Sequence, residues 1–296
     1  MHRSHDDCTR AREGRRGVAA WGAVVLLILA ACSGGQEPGD ADRLQGRLVL
    51  TGSSTVAPLA GEIAKRFEAE HAGVRVDVQT GGSSRGIADV RRGTADIGMV
   101  SRALAPEEAD LDSHTVALDG VTLIVHGSNP VAELDADQVV AIYTGEVADW
   151  SEVGGEPGPI TVVHKAEGRS TLEVFLEHFG LDNRQVQPTV IIGDNQQGVQ
   201  TVLGDPNALG YVSIGAAQVE VDRGGALKLL PLGGVAPSVA SVRDGSFPLS
   251  RQLNLVTLGP VSPLARAFLD YSRSPAVYDL VEAQYFVTVD LGSDAG

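Results

Sequence analysis

A short apolar strand runs straight into a helix in the stretch RLVLTGSSTVAPLA, residues 47–60. Residues 47–51 are mostly apolar and predict the strand, and the Gly-Ser-Ser run that follows is typical of a turn. Apolar residues then recur every fourth position from Leu59 to Phe67, which predicts a helix over 58–71. The stretch therefore predicts a strand–turn–helix unit, from which α/β folds are built.

Strands and helices keep alternating along the rest of the chain. This alternation predicts an α/β fold with largely parallel sheets. The predicted strands cover residues 47–51, 74–78, 95–100, 121–125, 160–163, 190–192, 209–212, 227–230 and 253–258. The predicted helices cover residues 58–71, 87–92, a segment opening at 106, 136–143, 171–179, 199–203, 263–271 and 276–283.

Three strand-to-helix turns share one composition, namely residues 51–55 (TGSST), 81–86 (GGSSRG) and 167–171 (EGRST). Each combines glycine with hydroxyl side chains where a helix is predicted to begin. A helix start has unpaired N–H groups and the positive end of the helix dipole, glycine admits a ligand closely, and hydroxyls add donors. The pattern is typical of an anion site, although ordinary helix caps would use the same residues.

The chain is acidic, with 296 residues and a net charge of −15, so a basic nucleic-acid-binding surface is not predicted. An acidic protein can still bind an anion, because distant charges are screened while local donors are not. Its two cysteines, Cys8 and Cys32, exclude a disulfide scaffold and a cysteine-rich metal site. The histidines lack the spacing of a helical zinc site, and we predict neither metal nor cofactor.

Residues 1–31 have the pattern of a secretory signal, with arginines between 10 and 16 and an apolar run over 19–31. The run is shorter than the roughly 20 apolar residues that a transmembrane helix needs. It ends in Leu29-Ala-Ala-Cys32, which resembles the bacterial lipobox, whose cysteine is acylated, as with palmitate. We therefore predict a lipid anchor on Cys32 and a flexible tether over 32–46. The chain would then lie outside the cytoplasm, in the periplasm or on the outer face of the cell membrane; a plain signal peptide is the alternative.

Six motifs lie between residues 47 and 260, namely 51–58 (TGSSTVAP), 81–87 (GGSSRGI), 95–102 (ADIGMVSR), 165–171 (KAEGRST), 207–212 (NALGYV) and 247–251 (FPLSR). Together they resemble the phosphate-binding component of bacterial ABC phosphate transporters. The resemblance implies a periplasmic-binding-protein fold (type II) whose two lobes have mixed, mainly parallel sheets and close on an oxyanion. It also implies a receptor that captures inorganic phosphate and delivers it to an ABC permease, without catalysis.

The implied solute-binding domain covers residues 47–296. Its first lobe would be 47–122 with 254–296 and its second 127–247, with hinges near 121–126 and 247–255. Only the closed state offers the donors of both lobes, so a bound anion favours closure.

The same resemblance implies which side chains bind phosphate. Hydroxyls and backbone N–H groups at the three junctions would donate, and the fork of Arg102 would pair two phosphate oxygens, with an inter-lobe ion pair as its alternative role. The implied ligands are Ser53, Ser54, Thr55, Ser83, Ser84, Arg102, Glu167, Arg169, Ser170 and Thr171.

The chain departs from the family pattern at Arg102, where well-known members have an aspartate that accepts the proton of hydrogen phosphate. It also has Lys165 where those members have arginine, and 168–171 (GRST) where they have Gly-Ser-Gly-Thr. A carboxylate acceptor would separate protonated phosphate from sulfate. Glu167 and Asp96 are the candidates. A receptor for another oxyanion such as sulfate, and a phosphate sensor, are the alternatives within this fold.

Residues 82–86 (GSSRG) also fit the G-x-S-x-G nucleophile elbow of α/β-hydrolases. Asp112 followed by His126 or His164 would supply the acid and the base in the required order. This serine hydrolase hypothesis leaves the junctions at 51–55 and 167–171 without a role.

Overall fold

Strands alternate with helices through residues 44–289, the part of the chain that the computed structural model describes. The strands are β1 Gln45–Gly52, β2 Gly73–Thr80, β3 Ile97–Val100, β4 Asp112–His126, β5 Thr161–Lys165, β6 Val190–Ile192, β7 Ala208–Ser213, β8 Leu227–Leu230 and β9 Ser250–Thr257. The helices are α1 Ala57–Glu70, α2 Ser83–Arg91, α3 Ala136–Thr144, α4 Ser170–Phe179, α5 Asn195–Gly204, α6 Ile214–Asp222, α7 Val239–Arg243, α8 Pro263–Ser272 and α9 Tyr278–Ala283. Short 3-10 turns lie at Pro106–Glu108, Trp150–Val153 and Pro275–Val277.

The strands form one mixed sheet in the order β2-β1-β3-β9-β4-β7-β5-β6, with β8 paired to β4. Parallel pairs join β1 to β2 and β3, and β5 to β6 and β7. Antiparallel pairs join β9 to β3 and β4, and β4 to β7 and β8. The α/β class and the mixed sheet are confirmed, but the antiparallel share exceeds what strand–helix alternation predicts, because β4 and β9 pair antiparallel with their neighbours.

The long strand β4 changes partners at its middle. It pairs with β9 as far as Gly120, opposite Ser250, and from Val121 onward it pairs with β7 and then β8. The apolar pattern predicts only residues 121–125 as strand, because Asp112 and Asp119 interrupt the alternation in the first half. Both segments proposed as hinges therefore lie largely within strands rather than in loops.

Buried apolar side chains form separate clusters on the two sides of this change of partners. One set, with Phe67 and Phe268, draws on residues 48–117 and 253–286. The other, with Phe175 and Tyr211 stacked at 4.0 Å between ring centroids, draws on residues 121–249 and Val287. Burying each such large side chain stabilises the fold by about 1.5–3 kcal/mol, so each side has a core of its own.

Several element predictions differ from the structure. The helix predicted to open at 106 is only the turn Pro106–Glu108, since the chain enters β4 at Asp112. Helix α6 was not predicted because it follows β7 without a break and opens on small residues. Strand β1 begins at Gln45, inside the predicted tether. The signal peptide, Cys32 and the rest of the tether lie outside the described residues. Among residues 44–289, no helix has the length and apolar character needed to cross a bilayer.

Candidate functional site

Buried polar side chains gather where β1, β3 and β5 end, next to the middle of β4 and the start of β9. In α/β folds, ligands bind outside the carboxyl ends of parallel strands. Every residue of this polar cluster is less than a tenth exposed to solvent. The members are Ser53, Thr55, Ser83, Ser101, Asp119, Lys165, Ser170, Thr171, Asn195, Ser213 and Arg251.

A buried ion pair between Arg251 and Asp119 forms the centre of the polar cluster. The two residues lie opposite each other on β9 and β4, and their side chains are 2% and 0% exposed. Arg251 Nε and Nη2 donate to Asp119 Oδ2 at 3.0 and 2.8 Å, and Ser213 Oγ donates to Oδ1 at 2.9 Å. Both carboxylate oxygens thus accept hydrogen bonds from the protein, and the charges compensate each other away from water.

The remaining N–H groups of Arg251 reach hydroxyls from both sides of the change of partners in β4. Nη2 donates to Thr55 Oγ1 at 3.2 Å, and Nη1 donates to Thr171 Oγ1 at 2.9 Å and to Ser101 Oγ at 3.5 Å. Thr55 precedes α1, whereas Thr171 lies in the first turn of α4. A hydroxyl oxygen that accepts from a cation keeps its own proton for another acceptor. Arg251 therefore orients two hydroxyls as donors.

Lys165 lies beside this pair with a neutral partner. Its Nζ donates to Asn195 Oδ1 at 3.0 Å, and Asn195 Nδ2 donates to Thr55 Oγ1 at 3.0 Å. Lys165 is only 3% exposed. Burial, reinforced by the positive charges of Arg251 and Arg169 and opposed by Asp194, lowers the pKa of Lys165 to about 7.

Three serines hold the ends of β1 and β3 together with the start of α2. Ser53 Oγ donates to Ser101 Oγ at 3.0 Å and accepts from the backbone N–H of Thr55 at 3.1 Å. Ser83 Oγ accepts from the backbone N–H of Ser101 at 3.3 Å. These contacts position the hydroxyl groups of the first two junctions next to Arg251.

The second and third junctions touch each other. The backbone N–H of Ser84 donates to the carbonyl oxygen of Gly168 at 3.3 Å. The hydroxyl of Ser170 and the Nε of Arg169 are buried without a hydrogen-bond partner. A buried donor without a partner destabilises a protein by about 1–3 kcal/mol, and such groups are typical of sites that bind a ligand.

Gly82, at the start of α2, should not tolerate a side chain. Its φ is +95°, and a Cβ there would lie 2.5 Å from the carbonyl oxygen of Gly168. Gly93 is the matched control, because its φ of +67° is also left-handed but nothing lies within 4 Å of an added Cβ. We expect Gly82→Ala to lower the free energy of unfolding by about 1–3 kcal/mol more than Gly93→Ala. If denaturant unfolding shows the same loss of stability for both variants, the contact between the second and third junctions is contradicted.

Arg102 lies in an ion-pair network at the edge of the polar cluster. Its Nη1 and Nη2 donate to the carboxylate of Glu108 at 2.7 and 2.8 Å, and its Nε donates to Glu173 on α4. These carboxylates raise the pKa of Arg102 above its usual value, with the hydrogen bond to Glu108 as the largest cause. The ion-pair alternative is thus the contact observed, and a phosphate contact of Arg102 stays a prediction.

The structure brings together some of the predicted ligands and separates others. The buried members Ser53, Thr55, Ser83, Ser170 and Thr171 belong to the polar cluster, and the more exposed Ser54, Ser84 and Arg169 belong to the same three junctions.

Neither predicted proton acceptor belongs to the polar cluster. Glu167 is exposed and accepts from Asn183 Nδ2 at 3.2 Å. Asp96 precedes β3, at the opposite end from Ser101, and its carboxylate accepts from the backbone N–H of Val49 at 2.8 Å.

Sequence reasoning did not nominate Asp119, Lys165, Asn195 or Arg251 as site residues. The sequence does offer one indication of three of these residues, because Asp119, Lys165 and Arg251 are charged residues within or at the end of largely apolar segments. Such a charge must be paired or desolvated when the strand is buried. Arg251 and Lys165 stood within the quoted motifs, but their contacts with Asp119 and Asn195 join segments that are 132 and 30 residues apart in the chain.

The hydrolase hypothesis requires a histidine next to Ser84. His164 Nε2 is hydrogen-bonded to Asn183 Oδ1 at 2.9 Å, and His164 Nδ1 to the hydroxyl of Tyr211 at 3.0 Å. His126 Nδ1 lies 2.6 Å from Ser128 Oγ, while Ser84 Oγ lies 3.5 Å from Glu173 Oε1. These contacts do not form a Ser-His-Asp arrangement. Across the described residues, no three His, Cys, Asp or Glu side chains are grouped to hold a metal ion.

A mixed sheet flanked by helices, with buried hydroxyl groups from both sides of the change of partners in β4, is typical of proteins that bind a small polar solute. A family model described as a PBP superfamily domain matches residues 36–276. The chain belongs to the PBP superfamily.

Several named relatives and solved structures that the chain resembles are phosphate-binding proteins. The phosphate-binding protein PstS of Bacillus subtilis is 29% identical over 282 residues, covering 90% of this chain and 91% of its own. A candidate phosphate ABC transporter substrate-binding protein of Clostridium perfringens, solved with bound phosphate, has a TM-score of 0.78 and 29% identity, covering 83% of this chain and all (100%) of its own. An ABC-type phosphate transport receptor of Vibrio cholerae has a TM-score of 0.69 and 27% identity, covering 82% and 100%.

Proposed function

We propose that this chain captures inorganic phosphate between two lobes and delivers it to an ABC permease. The observation that carries the proposal is that Arg251 orients Thr55 and Thr171, hydroxyls from opposite sides of the change of partners in β4, toward one site. Hydroxyl and backbone N–H donors around one tetrahedral anion satisfy it without a metal or a covalent step. The phosphate-binding relatives support the same ligand.

The proposed ligand donors come from all three junctions. The hydroxyls of Thr55, Ser170 and Thr171, together with the N–H groups in the first turn of α4, would bind the phosphate oxygens directly. Lys165 would supply positive charge. Arg251 would act as a positioning residue, since its N–H groups already have acceptors in the protein. Ser53, Ser54, Ser83, Ser84 and Arg169 complete the proposed set.

The proposed lobes are residues 47–122 with 254–296, and residues 127–247. The separate hydrophobic clusters support this division, with Val121 and Val287 as exceptions. Lobe motion would bend β4 and β9 near Gly120 and Ser250, where β4 changes partners. The ion pair of Arg102 with Glu173 and the hydrogen bond of Ser84 with Gly168 would then be contacts of the closed state.

We further propose that the chain works outside the cytoplasm, anchored by lipid on Cys32. The support is the signal pattern of residues 1–31 and the lipobox-like Leu29-Ala-Ala-Cys32. A lipid anchor and a flexible tether would keep the receptor close to a permease in the same membrane. This raises the effective concentration of the receptor at the permease.

Isothermal titration calorimetry with phosphate, arsenate and sulfate tests the proposed ligand. We expect phosphate and arsenate to bind and to compete for one site, because the two tetrahedral anions have the same shape and protonation chemistry. Sulfate binding at least tenfold weaker, a difference of about 1.4 kcal/mol, would support phosphate as the ligand. If none of the three anions binds, the proposed function is contradicted.

A receptor for sulfate or another fully ionised oxyanion is the second candidate, and one observation favours it. Both oxygens of Asp119, the carboxylate within the polar cluster, already accept hydrogen bonds from Arg251 and Ser213. Asp119 is thus engaged by donors of the protein, and the polar cluster contains no other carboxylate to accept the proton of hydrogen phosphate. Sulfate binding as tight as phosphate binding in the same titration would favour this candidate.

A further inference from the structure

Lys165 differs from the other lysines of the chain, Lys65 and Lys228. Lys65 has a 73% exposed side chain that pairs with Glu62. Lys228 donates to the carbonyl oxygens of Asn129 and Val131 at 2.6 and 2.5 Å. Lys165 is buried, and among residues 44–289 no carboxylate lies within the 4.0 Å of an ion pair with it. Its amine is thus removed from water without a counter-ion.

The charges around Lys165 come from three packed elements and are mainly positive. Arg251 faces it from β9 and Arg169 from the start of α4, while Asp194, before α5, is the opposing charge. The carboxylate of Asp119 is already paired with Arg251. A buried ammonium without a counter-ion is costly, so the site favours either a neutral amine or the arrival of an anion.

We propose that Lys165, buried as described with the two lobes in contact, is a neutral amine at alkaline pH while no ligand is bound, and takes up one proton from solvent when an oxyanion binds. The inference rests on the proposed function, because it assigns Lys165 to the same site. The amine gains a proton to become an ammonium ion, and no other bond forms or breaks. The bound anion then supplies the negative charge beside Lys165 that no carboxylate of residues 44–289 provides.

This proton uptake makes affinity depend on pH in a fixed direction. Below a pH of about 7 the amine is already charged before binding, so no proton is taken up. Above that pH the ligand-free amine must first be protonated, and the dissociation constant rises by up to tenfold for each pH unit. Arginine at this position stays charged throughout, so the dependence belongs to lysine.

Carbon NMR of lysine Cε nuclei measures the proposed proton directly, because the chain has only three lysines. In the ligand-free protein we expect one resonance, assigned with Lys165→Arg, to titrate near the pH of about 7 given by its lowered pKa. With saturating phosphate the same resonance should stay in its charged position to at least about pH 9. Titration of Lys165 near its ordinary value of about 10.4 in the ligand-free protein would overturn the inference.

Calorimetry in buffers of different ionisation enthalpy counts the protons that accompany binding. At about pH 8.5 we expect about one proton to be taken up per phosphate bound by the native chain and by the control Lys65→Met, and none by Lys165→Arg. Uptake that persists in Lys165→Arg would assign the proton to phosphate or to another group and overturn the inference. A chain that binds no phosphate, but whose Lys165 titrates as described, would instead contradict the proposed function alone. If Lys165→Arg does not bind, the titration of the native chain decides.

Discussion

Replacing Arg251 with glutamine is expected to weaken phosphate binding strongly and to destabilise the fold more than other single changes proposed for this site. The change leaves Asp119, whose side chain is 0% exposed, as a buried and uncompensated carboxylate. Losing one partner of a buried pair lowers the free energy of unfolding by about 3–5 kcal/mol. Thr55 and Thr171 lose the donor that orients their hydroxyls, so affinity should fall at least about 100-fold.

A double variant separates these two effects of Arg251. Asp119→Asn combined with Arg251→Gln removes both charges and keeps an acceptor oxygen for the Ser213 hydroxyl. We expect urea unfolding to show recovery of most of the lost stability, because a neutral pair leaves no uncompensated charge. Phosphate binding should not recover. Arg184→Ala, which removes an exposed pair with Asp182, is the control. Restored binding in the double variant would contradict the positioning role of Arg251.

Removing the hydroxyl of Thr55 or Thr171 is the second large effect we expect. Thr55 Oγ1 accepts from Arg251 and Asn195, and Thr171 Oγ1 accepts from Arg251. Each hydroxyl proton is therefore free to donate to an anion. Thr55→Val and Thr171→Val should each weaken phosphate binding by about 1–3 kcal/mol, or about 5–150-fold, in calorimetric titration.

Thr201 on α5 provides the matched control for these threonines. Its hydroxyl donates to the carbonyl oxygen of Gln197 at 2.7 Å, and Thr201 is not among the buried residues of the polar cluster. Thr201→Val should leave the affinity within about twofold of the native value, since surface changes away from a site have small effects. Unchanged affinity in both Thr55→Val and Thr171→Val would remove these hydroxyls from the site.

Local patterns were enough for most of the elements and for the general nature of the site. Apolar spacing predicted β1, β2, α1 and α4 within one or two residues at most of their ends, because side-chain period depends on the backbone of the element alone. Glycine and hydroxyl runs correctly marked the strand-to-helix junctions, since a helix start needs those residue types wherever it lies. Five predicted ligands, Ser53, Thr55, Ser83, Ser170 and Thr171, prove to share one buried cluster.

Only the folded chain could identify the charged centre of that cluster. Arg251 meets Asp119 and Thr171 because β9 returns from the far end of the chain to pair with β4, and no local pattern encodes that return. The same folding places Arg102 on Glu108 and Glu173 instead of leaving its guanidinium free. Residue type is a local property, so sequence predicts which groups can bind an anion. Burial and charge partners depend on distant strands, so tertiary structure decides which of those groups are charged, paired and aimed at one site.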